Sequence, residues 1–306
     1  MLYDQISSNK RRSTFMVTGF IIFVMLVVYI FGRAMGYGMY ISFPLAIIIA
    51  IGMSFGSYYY SDKIVLAMSQ ARPASREEFL QLNNVVEGLC IAAGLPQPKI
   101  YVIEDTAPNA FATGRNPEHS VVAVTTGLLQ KLNRTELEGV IAHELSHIKN
   151  YDILLQTLTV VMVGVIALLS DWFLRFMWYG GGRGRRSRSS SSSSRGGGGS
   201  AMAIFLILGI ILAILSPFIA KLIQLAISRR REFLADASGA LLTRYPTGLA
   251  DALKKISADT EPLEVANKAT AHLYIVNPLK DLSGKLNNMF DTHPPVEERI
   301  AALEKM

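Results

Sequence analysis

The chain has 306 residues, half of them hydrophobic, and a mean hydropathy of +0.31. That is too apolar for an ordinary soluble enzyme and points to one folded polar unit combined with membrane spans. The single Cys90 excludes an intramolecular disulfide and a cysteine-rich metal site. Much of the net charge of +6 sits in arginines flanking apolar runs, so anionic lipid headgroups are the expected partner and nucleic acid is not.

Lys10-Arg11-Arg12 precede an uncharged apolar run, Ser13 to Phe31, which is long enough to span a bilayer. Gly32-Arg33-Ala34-Met35-Gly36 is a poor cleavage site, so the run reads as a retained anchor rather than a signal peptide. Tyr37 to Tyr60 forms a second span, and the short turn between them makes residues 1–60 a transmembrane hairpin. Basic residues before the first span, with Lys63, Arg72 and Arg76 after the second, put both flanks in the cytoplasm. Ser61 to Asn133 is polar in character. Ser75 to Ala93 reads as an amphipathic helix burying Phe79, Leu82, Val86, Leu89 and Cys90, closed by Gly94. Lys99–Glu104 and Ser120–Thr125 are β-rich runs around a turn region, Asn109–Gly114.

The chemistry begins at Gly139 to Asp152. A helix is expected here, capped by Asn133, with Val140, Ile141, Leu145 and Ile148 on its apolar side. His143 and His147 stand four residues apart, so a helix stacks both imidazoles on one face, where they can hold one ion. Glu144, beside the first, reaches a water on that ion; this is the zinc-protease arrangement, in which the histidines hold Zn²⁺ and the glutamate is general base. Two histidines and a water leave tetrahedral zinc one ligand short. From Ile153 to about Ser170 the chain is apolar again, a third span starting within two turns of His147. Residues 179–200 are Gly-, Ser- and Arg-rich and are expected to be a disordered loop without the aromatic residues that RNA stacking needs. Ala201 to Ile227 is a fourth apolar segment. If this hairpin spans, Arg183, Arg185, Arg186, Arg188 and Arg195 lie outside, against the positive-inside tendency. Spanning is the expectation, a buried or re-entrant hairpin the alternative.

Glu232 and Asp236 follow at once, four apart and so on one helix face. Glu232 is the candidate third ligand. Asp236 can accept a hydrogen bond from the far nitrogen of a ligand imidazole and so fix its tautomer.

Glu232-Phe233-x-Ala235-Asp236 after His143-Glu144-x-x-His147, with hydrophobic spans before and between, resembles the HtpX-type membrane zinc proteases, bacterial relatives of the enzymes that trim prenylated CaaX proteins. Asn109-Ala110-Phe111-Ala112-Thr113-Gly114 is similar to that family's substrate-binding edge strand. His293-Pro294-Pro295-Val296-Glu297-Glu298-Arg299 is similar to its C-terminal His-Pro motif, which implies that His293 and Arg299 lie close to the metal and help stabilise the oxyanion. The resemblance covers nearly the whole chain. It implies a protease of the bacterial cell membrane that acts in quality control of damaged membrane proteins.

Thr247–Ile256, capped by Thr247, and Val296–Met306 read as helices; His272 is either a core residue or a neighbour of the site. The expected protein is therefore mainly α with a small β-sheet, a multi-span helical membrane protein carrying a gluzincin-like zinc metalloprotease domain. The protease domain is split into 61–152 and 228–306 by the hydrophobic hairpin 153–227, and it faces the cytoplasm. One Zn²⁺ per chain, membrane-protein or unfolded polypeptide substrates, and the lipid bilayer are its expected partners. Two alternatives stand beside this reading. One is a prenyl-protein protease, the other a non-catalytic scaffold with structural zinc, which an apparently three-ligand site with Glu144 beside it disfavours.

Overall fold

The computed structural model describes residues 2–34, 36–180, 229–267, 269–278 and 294–306. The loop expected at 179–200, beyond the last two residues of a helix, and the apolar segment Ala201–Ile227 lie outside the described residues, as does His293.

Helices α1 (Leu2–Ala34) and α2 (Met39–Tyr59) form the N-terminal hairpin, and both are long and apolar enough to cross a membrane. Their contact follows from side-chain size. On α2 the buried residues are Ser42, Ala46, Ala50, Ser54 and Ser57, a stripe of small side chains one turn apart. Small residues let two helices approach closely where no hydrophobic effect drives them together. The large apolar residues Ile41, Ile48, Ile51 and Phe55 stay exposed on the outside, as lipid-facing residues should.

A short helix, α3 (Ser61–Met68), leads into a four-stranded sheet: β1 (Arg72–Pro73), β2 (Lys99–Ile103), β3 (Ala110–Gly114) and β4 (Ser120–Thr125). Its order is β1-β2-β4-β3, with β2 parallel to β4 and the two outer pairings antiparallel, so β3 is an edge strand. Both faces are covered. Val102, Ala110, Ala112, Val122 and Val124 pack into the main core, while Ile103, Phe111, Val121 and Ala123 pack with Val65 and Tyr274 on the other face. Alternation by twos along each strand makes this sorting automatic.

Helix α4 (Leu80–Ala93) buries Leu82, Val86, Leu89 and Cys90 and ends at Gly94, whose φ of +65° suits glycine. It starts five residues later than the sequence suggests, because Arg76 to Phe79 form a turn instead. Then come α5 (Thr126–Lys131), α6 (Arg134–Lys149) and α7 (Asp152–Gly180). Asn133 caps α6 in a reciprocal pair with Glu136. At Tyr151, with φ of +59°, the chain bends by 83° and leaves along α7. The first half of α7 is buried: Leu155, Leu158 and Met162 pack on Met16, Phe20 and Val24 of α1.

Helices α8 (Arg229–Thr243), α9 (Pro246–Ala258) and α10 (Val296–Leu303) complete the described chain. Pro246 occupies the first turn of α9, which starts before Thr247; the expected cap is therefore inside the helix, and Tyr245 precedes it with no side-chain cap. Two glycines let backbones meet. A Cβ on Gly239 of α8 would lie 3.0 Å from the His143 nitrogen, and one on Gly139 of α6 would lie 2.6 Å from the Leu249 nitrogen. Helix α6 is thus held between α8 and α9 at close range. The architecture is mainly helical with a small mixed sheet, as expected.

Candidate metal centre

Helices α6 and α8 bring His143, His147 and Glu232 together, all buried, with one ligand atom from each within 4.8 Å of the others. The two Nε2 atoms are 3.2 Å apart, Glu232 Oε2 lies 3.7 Å from His143 Nε2, and Glu232 Oε1 lies 3.6 Å from His147 Nε2. An ion with ligand bonds of about 2.0–2.1 Å in a tetrahedron separates its ligand atoms by about 3.3–3.4 Å. The donor set and its spacing therefore fit a zinc-sized ion. Three protein ligands leave one position for water.

Each imidazole is held from behind by a carboxylate. His143 Nδ1 is 2.8 Å from Asp236 Oδ1. Arg299, fully buried, donates to both oxygens of Asp236 at 2.8 and 2.7 Å and through Nη1 to the Ile275 carbonyl at 2.8 Å. Its Nη1 is also 4.0 Å from Glu232. His147 Nδ1 is 3.1 Å from Asp152 Oδ2, across the Tyr151 bend. The Asn9 amide of α1 donates to Asp152 at 2.7 Å and to the Asn150 carbonyl at 2.9 Å, and Arg231 donates to Asn9 at 3.2 Å. Asp152, Asn9 and Arg231 were not singled out as site residues from sequence. An aspartate five residues after His147 was the only local signal, and nothing near Asn9 announced it.

These contacts set the charges. Burial pulls His147 down, but the Glu232 and Asp152 carboxylates outweigh it and hold the group up at about 9. His143 goes the other way, because burial wins over Asp236. Asp236 stays ionised, at about 2, since the Arg299 guanidinium overcomes the cost of burial. Glu144 is buried and raised to about 7, chiefly by desolvation; the Ala112 backbone N–H hydrogen-bonds to it and works against the rise. A carboxylate poised near neutrality can take and return a proton.

That hydrogen bond joins the site to the sheet edge. Asn109 exchanges hydrogen bonds with Thr125 and donates its side chain to the Val276 carbonyl at 2.9 Å. Along β3, Phe111 and Thr113 face β4 in register, and the alternate residues turn their backbone groups outward. The Ala110 carbonyl accepts from Ile275, and the Gly114 N–H donates to Thr157. Phe111 packs edge-on against Tyr274. His272 is buried 3.4 Å from the Gln156 carbonyl and is not part of the His-His-Glu group.

Residues 76–306 match the model of peptidase family M48. The chain belongs to that family. It is 48% identical over 305 residues to a protein named Protease HtpX homolog from Dictyoglomus turgidum, covering 99% of this chain and 94% of the relative. A namesake from Ligilactobacillus salivarius is 43% identical over 310 residues and is matched end to end. A crystal structure of S. mikatae Ste24p is 18% identical, with a TM-score of 0.49 over 99% of this chain and 66% of the other. This M48 member is a membrane metalloprotease: family, named relatives, apolar helices and metal group agree.

Proposed function

We propose that this M48 member is a zinc-dependent endopeptidase that hydrolyses misfolded or damaged membrane proteins at the cytoplasmic surface of a bacterial cell membrane. The observation that carries the reading is Glu144, buried beside the His143–His147–Glu232 group and hydrogen-bonded to the backbone of the edge strand.

Bound zinc would polarise both the attacking water and the scissile carbonyl. His143, His147 and Glu232 would hold it, with Asp236 and Asp152 fixing the imidazole tautomers so that both Nε2 lone pairs converge. Glu144 takes the proton of the attacking water and returns it to the departing amine. Of Asn109, Ala110, Phe111 and Ala112, the first and third spend their backbone groups on β4 and the Ala110 carbonyl accepts from Ile275, so Ala112 would be the residue that aligns a peptide by backbone hydrogen bonding, which every sequence can offer and which suits unfolded substrates. Three of the five Arg299 N–H donors go to Asp236 and Ile275, so its geometry favours positioning Asp236 over acting as the oxyanion donor. Asn9 lies beside the Lys10–Arg12 cluster that heads the first span and bonds to Asp152. This supports a site at the membrane surface, with the spans 1–60 and 153–227 around a protease domain built from 61–152 and 228–306.

Glu144→Gln tests the assignment. In detergent it should keep the metal and lose about 10²–10⁴-fold in cleavage of a denatured protein. Cleavage at the wild-type rate would remove Glu144 from the role of base. Expressed in cells, the same variant should retain unfolded membrane proteins; enrichment of folded soluble proteins instead would refute the substrate class.

A further inference from the structure

A cavity of about 480 Å³ lies away from the metal, where α1, the end of α2, the β3–β4 turn and the start of α7 meet. We infer that this cavity binds the headgroup of an anionic phospholipid.

Its walls divide by chemistry. Lys10 and Arg115 bring two cations to it from separate parts of the chain. Lys10 Nζ sits 4.2 Å over the Tyr151 ring, and Arg115 stacks 5.1 Å over Tyr59 while donating to the Tyr59 carbonyl at 3.2 Å. Among the described residues, neither cation is ion-paired with a carboxylate. Ser13 also lines the cavity, is 4% exposed, and among the described residues its hydroxyl has no hydrogen-bond partner. A buried donor without an acceptor is costly, and a phosphate oxygen would satisfy it. Two cations and a hydroxyl suit a phosphodiester carrying net negative charge. The remaining wall is apolar, from Val17, Leu154 and Leu158, which suits the glycerol and upper acyl carbons.

Position selects the source of that phosphate. Lys10 stands at the head of the first span, and Thr14, Thr18 and Ile22 continue the same helical face toward its apolar middle. Thr14 and Thr18 line the cavity and Ile22 is exposed, so the opening runs from the headgroup level onto the lipid-facing surface. A lipid can enter sideways from the bilayer. It would also join α1 to Tyr151, next to Asp152, and so brace the N-terminal hairpin against the protease domain.

The test is native mass spectrometry of the full chain in detergent, titrated with phosphatidylglycerol or with phosphatidylcholine. One phosphatidylglycerol should be retained in preference to phosphatidylcholine. At about 1 kcal/mol per basic residue near a charged surface, K10Q/R115Q should weaken it about 30-fold. Thr18→Trp keeps both cations but fills the cavity and should also lose the lipid, while Lys63→Gln, an interfacial cation outside the cavity, should not. Millimolar inorganic phosphate should fail to displace the lipid. Equal retention of both lipids, or unchanged retention by both cavity variants, would overturn the proposal. Displacement by free phosphate would assign the site to a soluble anion and overturn the lipid reading. A thermal melt of each variant separates loss of lipid from loss of fold.

Discussion

The two imidazoles differ in what stands behind them. His143 is backed by Asp236 and Arg299, both from the C-terminal part of the chain. His147 is backed by Asp152, which is held in turn by Asn9 of the first membrane helix and approached by Arg231 at 3.5 Å. One ligand is oriented by the polar core and the other by the membrane hairpin. The hairpin therefore contributes to the metal site, and damage to it reaches His147 through Asp152.

Breaking the His143 side should have the larger effect. Asp236→Asn leaves the Arg299 charge buried without its bidentate partner, which costs about 3–5 kcal/mol when a buried pair loses one member. It also loosens the His143 tautomer, at about 10–100-fold in metal affinity. A large fall in melting temperature together with weaker zinc binding is expected. Asp152→Asn should show the same 10–100-fold loss in affinity with a smaller fall in melting temperature, because Arg231 keeps its hydrogen bond to Asn9. Equal destabilisation by the two variants would erase the distinction drawn here.

The two sides should also differ in their proton count. Metal-free His147, held at about 9 by its carboxylates, is protonated at pH 8, whereas His143, lowered by burial, is neutral. Binding must therefore displace at least one proton, from His147, and a second where the metal ionises its water. Between pH 7.5 and 8.5, above the value of about 7 for Glu144, affinity should tighten about tenfold per pH unit as pH rises. Calorimetry in buffers of different ionisation enthalpy counts the protons released; none would contradict the assigned charges. The smallest effect is expected from Asn9→Ala, which acts one step further from the ligand and should cost less than the tenfold of a direct partner. A chelator competition assay measures it.

What could be read from sequence follows the range of each interaction. The α6 cap needs only Asn133 and Glu136, three residues apart, and the His143–His147 pair needs one helical turn. Glu232 and Asp236 share a turn as well, so their joint use of one face was legible. Asp152 belongs with His147 only because the chain bends at Tyr151 in a left-handed conformation that a β-branched or apolar pattern does not encode. Asn9 is 143 residues from Asp152, inside a helix whose apolar run gives it an obvious other purpose. The edge position of β3 depends on sheet order, which no local pattern carries. Thr247 misled because threonine is a good cap, whereas Pro246 before it already fits the first helical turn.

We propose that α6 and α8 jointly hold one metal through His143, His147 and Glu232. Zinc per chain, measured after dialysis for the wild type and Glu232→Gln with both folded in detergent, tests it most directly. One zinc in the wild type and little in the variant is the expected result. One zinc in both would place the third ligand elsewhere, and none in folded wild type would contradict the site itself.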